Sequence, residues 1–145
     1  MASGEAKSKR LILYIDGASH GNPGPSGYGV VVEDARGGVL AELSGSLGVT
    51  TNNVAEYTAL LKALEEARAR GAEEVEIRTD SELLARQING SYAVRSPRLL
   101  PLYQRARAAL AGFRSYRVVH VGREENRSAD ALAGRGARAA EVEDR

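Results

Sequence analysis

Apolar residues in the first third of the chain fall into short runs separated by glycine-rich and polar segments, which is typical of β-strands joined by turns. The run LILYIDGA is apolar at successive positions, so it predicts a central strand covered on both faces of a sheet. The segment Ala35-Arg36-Gly37-Gly38 predicts a hairpin loop. Three antiparallel strands are therefore expected, at residues 11–18, 28–34 and 39–47.

The spacing of apolar residues then changes to that of helices. Tyr57, Leu60, Leu61 and Leu64 share one helical stripe, and Gly71 is a typical helix stop. Short strand-like and helical segments follow, the last helix capped by Asn126. The pattern predicts helices at 53–70, 81–88, 99–112 and 126–139, with strands at 75–79 and 116–122.

The expected order is βββαβααβα. Strands separated by helices run parallel through right-handed crossovers, so the pattern predicts an α/β domain with a five-stranded mixed sheet flanked by helices, three antiparallel strands being followed by two parallel ones. This domain is expected at residues 11–139, between a disordered arm at 1–10 and a polar tail at 140–145. Sites in such sheets form beyond the carboxyl ends of strands, where Asp16 and Asp80 both lie.

The composition narrows the possible function classes. The 145 residues, 43% of them hydrophobic, suffice for one domain with a core of its own. The chain has no cysteine, which excludes disulfides and thiolate metal sites and favours Mg²⁺ or Mn²⁺ over zinc. The N-terminus carries no signal-peptide pattern, and the longest apolar run is too short to span a bilayer. A cytoplasmic monomer without a membrane partner is expected.

Charge is unevenly distributed along the chain. Residues 86–138 contain eleven arginines and three acids, a balance of +8, whereas residues 56–82 contain eight acids and four basic residues, a balance of −4. A basic half is typical of proteins that bind a polyanion, because phosphate contacts release counterions. Arginines on solvated helix faces are the alternative explanation.

Four acids stand where the predicted elements would bring them to one edge of the sheet, and each has a plain structural alternative. Asp16 can start an Asp-Gly turn, and Glu56 can form a capping box with Asn53. Asp80 can cap the next helix, and Asp130 can complement a helix dipole.

Their joint occurrence on four elements favours a common site. Clustered carboxylates repel one another unless cations neutralise them, and a hard divalent cation is the natural partner. Two such ions about 4 Å apart are the arrangement that in-line phosphodiester hydrolysis uses.

Four segments together resemble the type I ribonuclease H family. They are Asp16-Gly17-Ala18-Ser19-His20-Gly21-Asn22-Pro23-Gly24-Pro25, Thr50-Thr51-Asn52-Asn53-Val54-Ala55-Glu56, Thr79-Asp80-Ser81 and Arg123-Glu124-Glu125-Asn126-Arg127-Ser128-Ala129-Asp130-Ala131-Leu132-Ala133. They follow the family's order over nearly all of residues 11–136. The resemblance implies an endonuclease that cuts the RNA strand of RNA/DNA hybrids with two Mg²⁺ or Mn²⁺ ions, leaving 5′-phosphate and 3′-hydroxyl ends.

The same resemblance assigns expected roles to individual residues. Asp16, Glu56, Asp80 and Asp130 match the catalytic metal ligands. His120, ten residues before Asp130, matches an auxiliary catalytic histidine, for which a structural histidine at a strand end is the alternative and Arg123 a possible substitute. Substrate contacts are expected from the following residues: Gly17, Asn22, Thr51, Asn52, Ser81 and Arg123.

The chain departs from the family pattern in two places. The segment from Gln87 to Leu99 is too short for the basic, tryptophan-containing protrusion of some members, so hybrid binding is expected to depend on Arg95, Arg98 and neighbouring arginines. Glu82 stands where the family often has glutamine.

Three alternative functions remain: double-stranded RNA as an additional substrate, DNA cleavage by the same fold, and a non-catalytic binding module.

Overall fold

The computed structural model describes residues 9–143, and within them the expected order βββαβααβα is confirmed. A 3₁₀ turn, Arg123–Asn126, precedes the last helix. The strands are β1 (Arg10–Ser19), β2 (Gly24–Asp34), β3 (Val39–Thr50), β4 (Glu74–Thr79) and β5 (Ser115–His120). The helices are α1 (Asn52–Ala69), α2 (Glu82–Ile88), α3 (Leu100–Ala111) and α4 (Arg127–Glu143).

The five strands form one mixed sheet in the order β3-β2-β1-β4-β5. β1 pairs antiparallel with β2 and β2 with β3, whereas β1–β4 and β4–β5 are parallel. The predicted fold class is therefore confirmed. The central position of β1 explains its apolar run, since α1 packs on one face of the sheet and α4 on the other.

Two strands are longer than the sequence pattern predicts. β2 begins at Gly24 instead of residue 28, and β3 continues to Thr50 instead of ending at residue 47. Their pairing shifts register between Ser26 and Gly27, where β3 carries one extra residue before Gly48, whose φ is +67°. This bulge allows β3 to continue through glycines that otherwise signal a strand end.

α4 lies unusually close to the sheet because glycines line the contact. A Cβ atom on Gly29 would lie 2.2 Å from the carbonyl oxygen of Ala129, and one on Gly136 would lie 2.2 Å from that of Gly45. Contacts below 3 Å are not tolerated, so the helix can take this position only while these residues lack side chains.

The predicted ends of the domain need correction. Residues 1–8 of the expected arm lie outside the described residues, but Lys9 accepts hydrogen bonds from the amides of Glu73 and Glu74, and Arg10 begins β1. The expected tail at 140–145 is helical through Glu143, with Ala140 buried, and residues 144–145 lie outside the described part.

None of the helices formed by residues 9–143 combines the length and apolar character needed to cross a bilayer.

Candidate active site

Asp16 and Asp80 meet because their strands are parallel neighbours. The last pair in the β1–β4 register is Ile15 with Thr79, so the next residues stand side by side at the carboxyl edge of the sheet. Asp16 is buried, with 4% of its surface exposed, and Asp80 is half-buried. The sheet itself thus sets two carboxylates at one edge.

Glu56 reaches the same edge from the first half of α1. Its Oε1 accepts a hydrogen bond from the backbone N–H of Gly17 at 2.9 Å, and the residue is buried. The capping-box alternative is wrong, because the N-cap of α1 is Thr51, whose hydroxyl accepts from the amide of Val54 at 3.2 Å.

Carboxylate oxygens of Asp16, Glu56 and Asp80 all lie within 4.8 Å of one another. Asp130 enters from the first turn of α4, where it is exposed, and its carboxyl group is close enough to Asp16 to raise the pKa of that residue. The cap alternative for Asp80 is also wrong, because Ser81 caps α2 by accepting from the amide of Leu84. Four separate elements therefore bring one acid each to this edge.

The electrostatics of this cluster favour protonation when no cation is bound. Burial, followed by the charge of Glu56 and the neighbouring Asp130 and Asp80, raises the pKa of Asp16 to about 9. Burial and the charge of Asp80 raise the pKa of Glu56 to about 8, although the Gly17 hydrogen bond acts in the opposite direction. Ionising these carboxylates together therefore costs folding free energy. A bound cation would remove this cost.

Three neutral residues form a second cluster beside the acids. The backbone N–H of Asn52 donates to the side-chain oxygen of exposed Asn22 at 2.9 Å, which ties the β1–β2 loop to the start of α1. Thr51 lies at the same helix end as its N-cap. The positive dipole end of an 18-residue helix points at this place, so the arrangement can accommodate a phosphate.

His120 is the last residue of β5, where it pairs in register with Thr79 and is exposed. It lines a shallow cleft with Glu82, Arg86 and Asn89. The Glu82 carboxylate is held by Arg86 at 2.8 Å, and this hydrogen bond lowers the pKa of Glu82 below its usual value. Arg123 is exposed and begins the 3₁₀ turn that precedes α4.

Asn126 has a different position from the one its sequence context predicts. Instead of capping α4 from outside, it is buried, and its side-chain N–H donates to the carbonyl oxygen of Ile15 at 2.8 Å. Asn126 thereby ties the start of α4, and with it Asp130, to the residue before Asp16. Only its spacing from Asp130, one helical turn, could have indicated this contact in the sequence.

The comparisons with known proteins cover most of the fold. A family model described as reverse transcriptase-like matches residues 14–136. The chain is 44% identical over 124 residues to ribonuclease HI of Halobacterium salinarum, which corresponds to 86% of this chain and 62% of that protein.

Two solved structures show the likeness in three dimensions. The N-terminal ribonuclease H domain of Rv2228c from Mycobacterium tuberculosis matches with a TM-score of 0.92 and 41% identity over 95% of this chain and all of that chain. The ribonuclease H1 called LC11, solved in complex with an RNA/DNA hybrid, matches with a TM-score of 0.85 and 41% identity over 90% and 98% of the two chains.

This chain spans less than two thirds of the first of these relatives, 62% of the Halobacterium protein and 34% of the bifunctional protein Rv2228c. The shared part contains most of the fold described above. A family model that covers most of the described residues, and more than 40% identity to ribonuclease H domains of the same fold, mean that this chain belongs to the ribonuclease H family.

Proposed function

We propose that this chain is an endonuclease that hydrolyses the RNA strand of RNA/DNA hybrids and leaves 5′-phosphate and 3′-hydroxyl ends. The observation that supports this function best is the convergence of Asp16, Glu56, Asp80 and Asp130 from four elements. A binding module would gain nothing from carboxylates that face phosphates and are costly to bury.

The acid cluster fits Mg²⁺ or Mn²⁺. We propose that two such ions bind per site. All donors are hard carboxylate oxygens, and those of Asp16, Glu56 and Asp80 are close enough to share ions. When bound, such ions lower the pKa of a coordinated water and neutralise charge that develops on the phosphate. The carboxylates themselves hold the ions, and burial of Asp16 and Glu56 keeps bulk water from one side of the site.

His120 and Arg123 are proposed as auxiliary residues. His120 ends β5 in register with Thr79, the residue before Asp80, and an exposed imidazole there is the type of side chain that serves as a general acid or base. Arg123 offers a fixed positive charge at the beginning of the turn that leads to Asp130.

Hybrid recognition is assigned to the cluster of Asn22, Thr51 and Asn52, with further contacts from Gly17 and Ser81. An exposed amide side chain and a helix N-terminus suit a backbone phosphate, whereas short polar groups suit the shallow minor groove of an A-like duplex. Double-stranded RNA shares that groove and is the second candidate substrate. The protein is proposed to act as a cytoplasmic monomer.

The decisive experiment offers end-labelled RNA/DNA hybrid, RNA/RNA and DNA/DNA duplexes of one sequence to the protein with Mg²⁺ or Mn²⁺. We expect cleavage of the RNA strand in the hybrid, with 5′-phosphate ends in the products. Cleavage of DNA would refute the proposed substrate, and binding without cleavage would refute the enzymatic function.

A second experiment tests the metal ligands without relying on turnover. Titration of Mg²⁺ or Mn²⁺ into Asp80→Asn by calorimetry should show weaker binding than to the wild-type protein, because one oxygen ligand is lost. Asp34→Asn, a change of the same kind in the exposed β2–β3 hairpin, is the matched control. If Asp80→Asn and the control bound the metal ion with equal affinity, Asp80 would not be a metal ligand.

A further inference from the structure

A pair of side chains connects the β1–β2 loop, beside the proposed phosphate site, to the end of α4. Nδ1 of His20, in the loop between β1 and β2, lies 2.8 Å from Oε2 of Glu141, near the end of α4. These residues are 121 positions apart, so the contact exists only in the folded domain.

His20 belongs to the loop that carries Asn22. The His20 amide closes this loop by donating to the carbonyl oxygen of Pro25 at 2.8 Å. Hydrogen bonds join the loop to its neighbours: Asn22 accepts from the Asn52 amide, and the hydroxyl of Ser19 donates to the carbonyl oxygen of Thr50 at 3.2 Å. Asn22 is exposed, so the position of its side chain depends on how firmly the loop is held. The His20–Glu141 contact is a side-chain attachment of this loop to a helix.

α4 is a suitable anchor because its own position is fixed. Gly136 packs directly on Gly45, with no room for a Cβ atom between them. One helical turn beyond, Ala140 is fully buried. Glu141 therefore projects from a part of the helix that cannot shift relative to the sheet.

The pair also fixes the orientation of the imidazole. A carboxylate bonded to one ring nitrogen limits rotation of the ring, and Glu141 contacts Nδ1 of His20 in this way.

We propose that Glu141 is a positioning residue for hybrid binding: through His20 it holds the β1–β2 loop so that Asn22 is ready for a substrate phosphate. This inference rests on the proposed function of the same site. Glu141 touches no substrate in this scheme and acts only through the loop.

The pair is exposed, so it should contribute little to global stability and its effect should appear in substrate binding. Glu141→Ala and His20→Ala are each expected to raise the KM for RNA/DNA hybrid about two- to five-fold with kcat unchanged, because exposed ion pairs have coupling of this size. The double variant should be no worse than either single one, since both remove the same contact.

Glu143→Ala is the matched control, because it removes the same charge from the same turn but contacts β3 instead of the loop. Amide hydrogen exchange of residues 19–26 in the free protein gives a readout that needs no substrate. Faster exchange and higher KM in Glu141→Ala than in Glu143→Ala would support the inference. Identical KM and exchange in the two variants would overturn it. If the wild-type protein cleaved no hybrid, the proposed function would fail, whereas the exchange comparison would still decide whether Glu141 holds the loop.

Discussion

The carboxylate of Glu56 and the backbone N–H of Gly17 are joined by a 2.9 Å hydrogen bond. The bond crosses from α1 to β1 immediately after Asp16, so it sets the spacing between two of the clustered acids. It is possible only because residue 17 has no side chain: a Cβ atom there would lie 2.4 Å from the backbone nitrogen of Glu56. The separation of helix and strand at this point thus determines the geometry of the site.

Gly17→Ala should therefore lower hybrid cleavage by roughly 100-fold, because displacement of a catalytic group by about 1 Å has effects of that order. The measurement is kcat/KM together with thermal unfolding in the absence of metal. Gly134→Ala is the control, since a Cβ atom there meets nothing closer than 3.5 Å. Full activity in Gly17→Ala would show that the spacing between α1 and β1 is not critical.

The stability of the metal-free protein should fall as pH rises from about 5 to about 9. Asp16 and Glu56 have folded-state pKa values of about 9 and about 8, above their usual values. Between the usual and the raised values the folded state binds more protons than the unfolded state, so their contribution is complete in mild acid and is lost toward alkaline pH. Chemical denaturation in EDTA across this range measures the slope.

Asp16→Asn should flatten that slope and raise the free energy of unfolding at pH 8 by about 1–3 kcal/mol, because the folded protein then has no carboxyl group at this position to protonate or to bury ionised. The same variant should lose activity. Asp34→Asn should keep the wild-type slope, since the pKa of Asp34 is lowered by the Gly38 and Arg36 amides and the residue titrates in acid. A slope that is the same in all three proteins would contradict this assignment.

Two glycines of α4 should respond oppositely to alanine. At Gly136 a Cβ atom would collide with the Gly45 carbonyl, so Gly136→Ala should destabilise the protein by about 2 kcal/mol or more. At Gly134 the space is open, and alanine should stabilise the helix by about 0.5–1 kcal/mol. Thermal unfolding of both variants tests this, and equal shifts would show that the close contact of α4 with β3 is unimportant.

Salt dependence should reveal which arginines contact the hybrid. Arg95 and Arg98 are exposed in the α2–α3 loop, whereas Arg114 pairs with Glu74 at 2.5 Å, at the opposite edge of the sheet from the acids. In an Asp80→Asn background, replacing Arg95 and Arg98 by Gln should reduce the slope of log Kd against log salt by about 1–2. Arg114→Gln should leave it unchanged. If Arg114→Gln reduced the slope and the changes at Arg95 and Arg98 did not, the hybrid would bind to another part of the surface.

Much of the fold was predictable because apolar residues recur with clear strand or helix periodicity along the sequence. The continuous apolar run before Asp16 identified a central strand, and the helices between later strands required parallel pairing. That pairing placed Asp16 beside Asp80. The ends of β2 and β3 were not predictable, because a bulge at Gly48 turns an apparent strand end into a continuation.

The contacts made by individual side chains were less predictable. Asn126 occupies a position typical of a helix cap, and local sequence gives no sign that it instead reaches β1. Glu56 was expected in the acid cluster, but its hydrogen bond to the Gly17 amide was not. Likewise, nothing local to His20 or Glu141 indicates that they meet. Such contacts depend on how elements far apart in sequence pack, which periodicity does not encode.

The sheet order β3-β2-β1-β4-β5 also bears on how the protein folds. β1 lies at the centre of the sheet and pairs with β4, which is far from it in the sequence. Asp130 comes close to Asp16 only when α4 is docked. The four acids are thus brought together by contacts between residues far apart in sequence, whose formation chain closure opposes. A chain in which α4 has not docked therefore lacks Asp130 in the cluster.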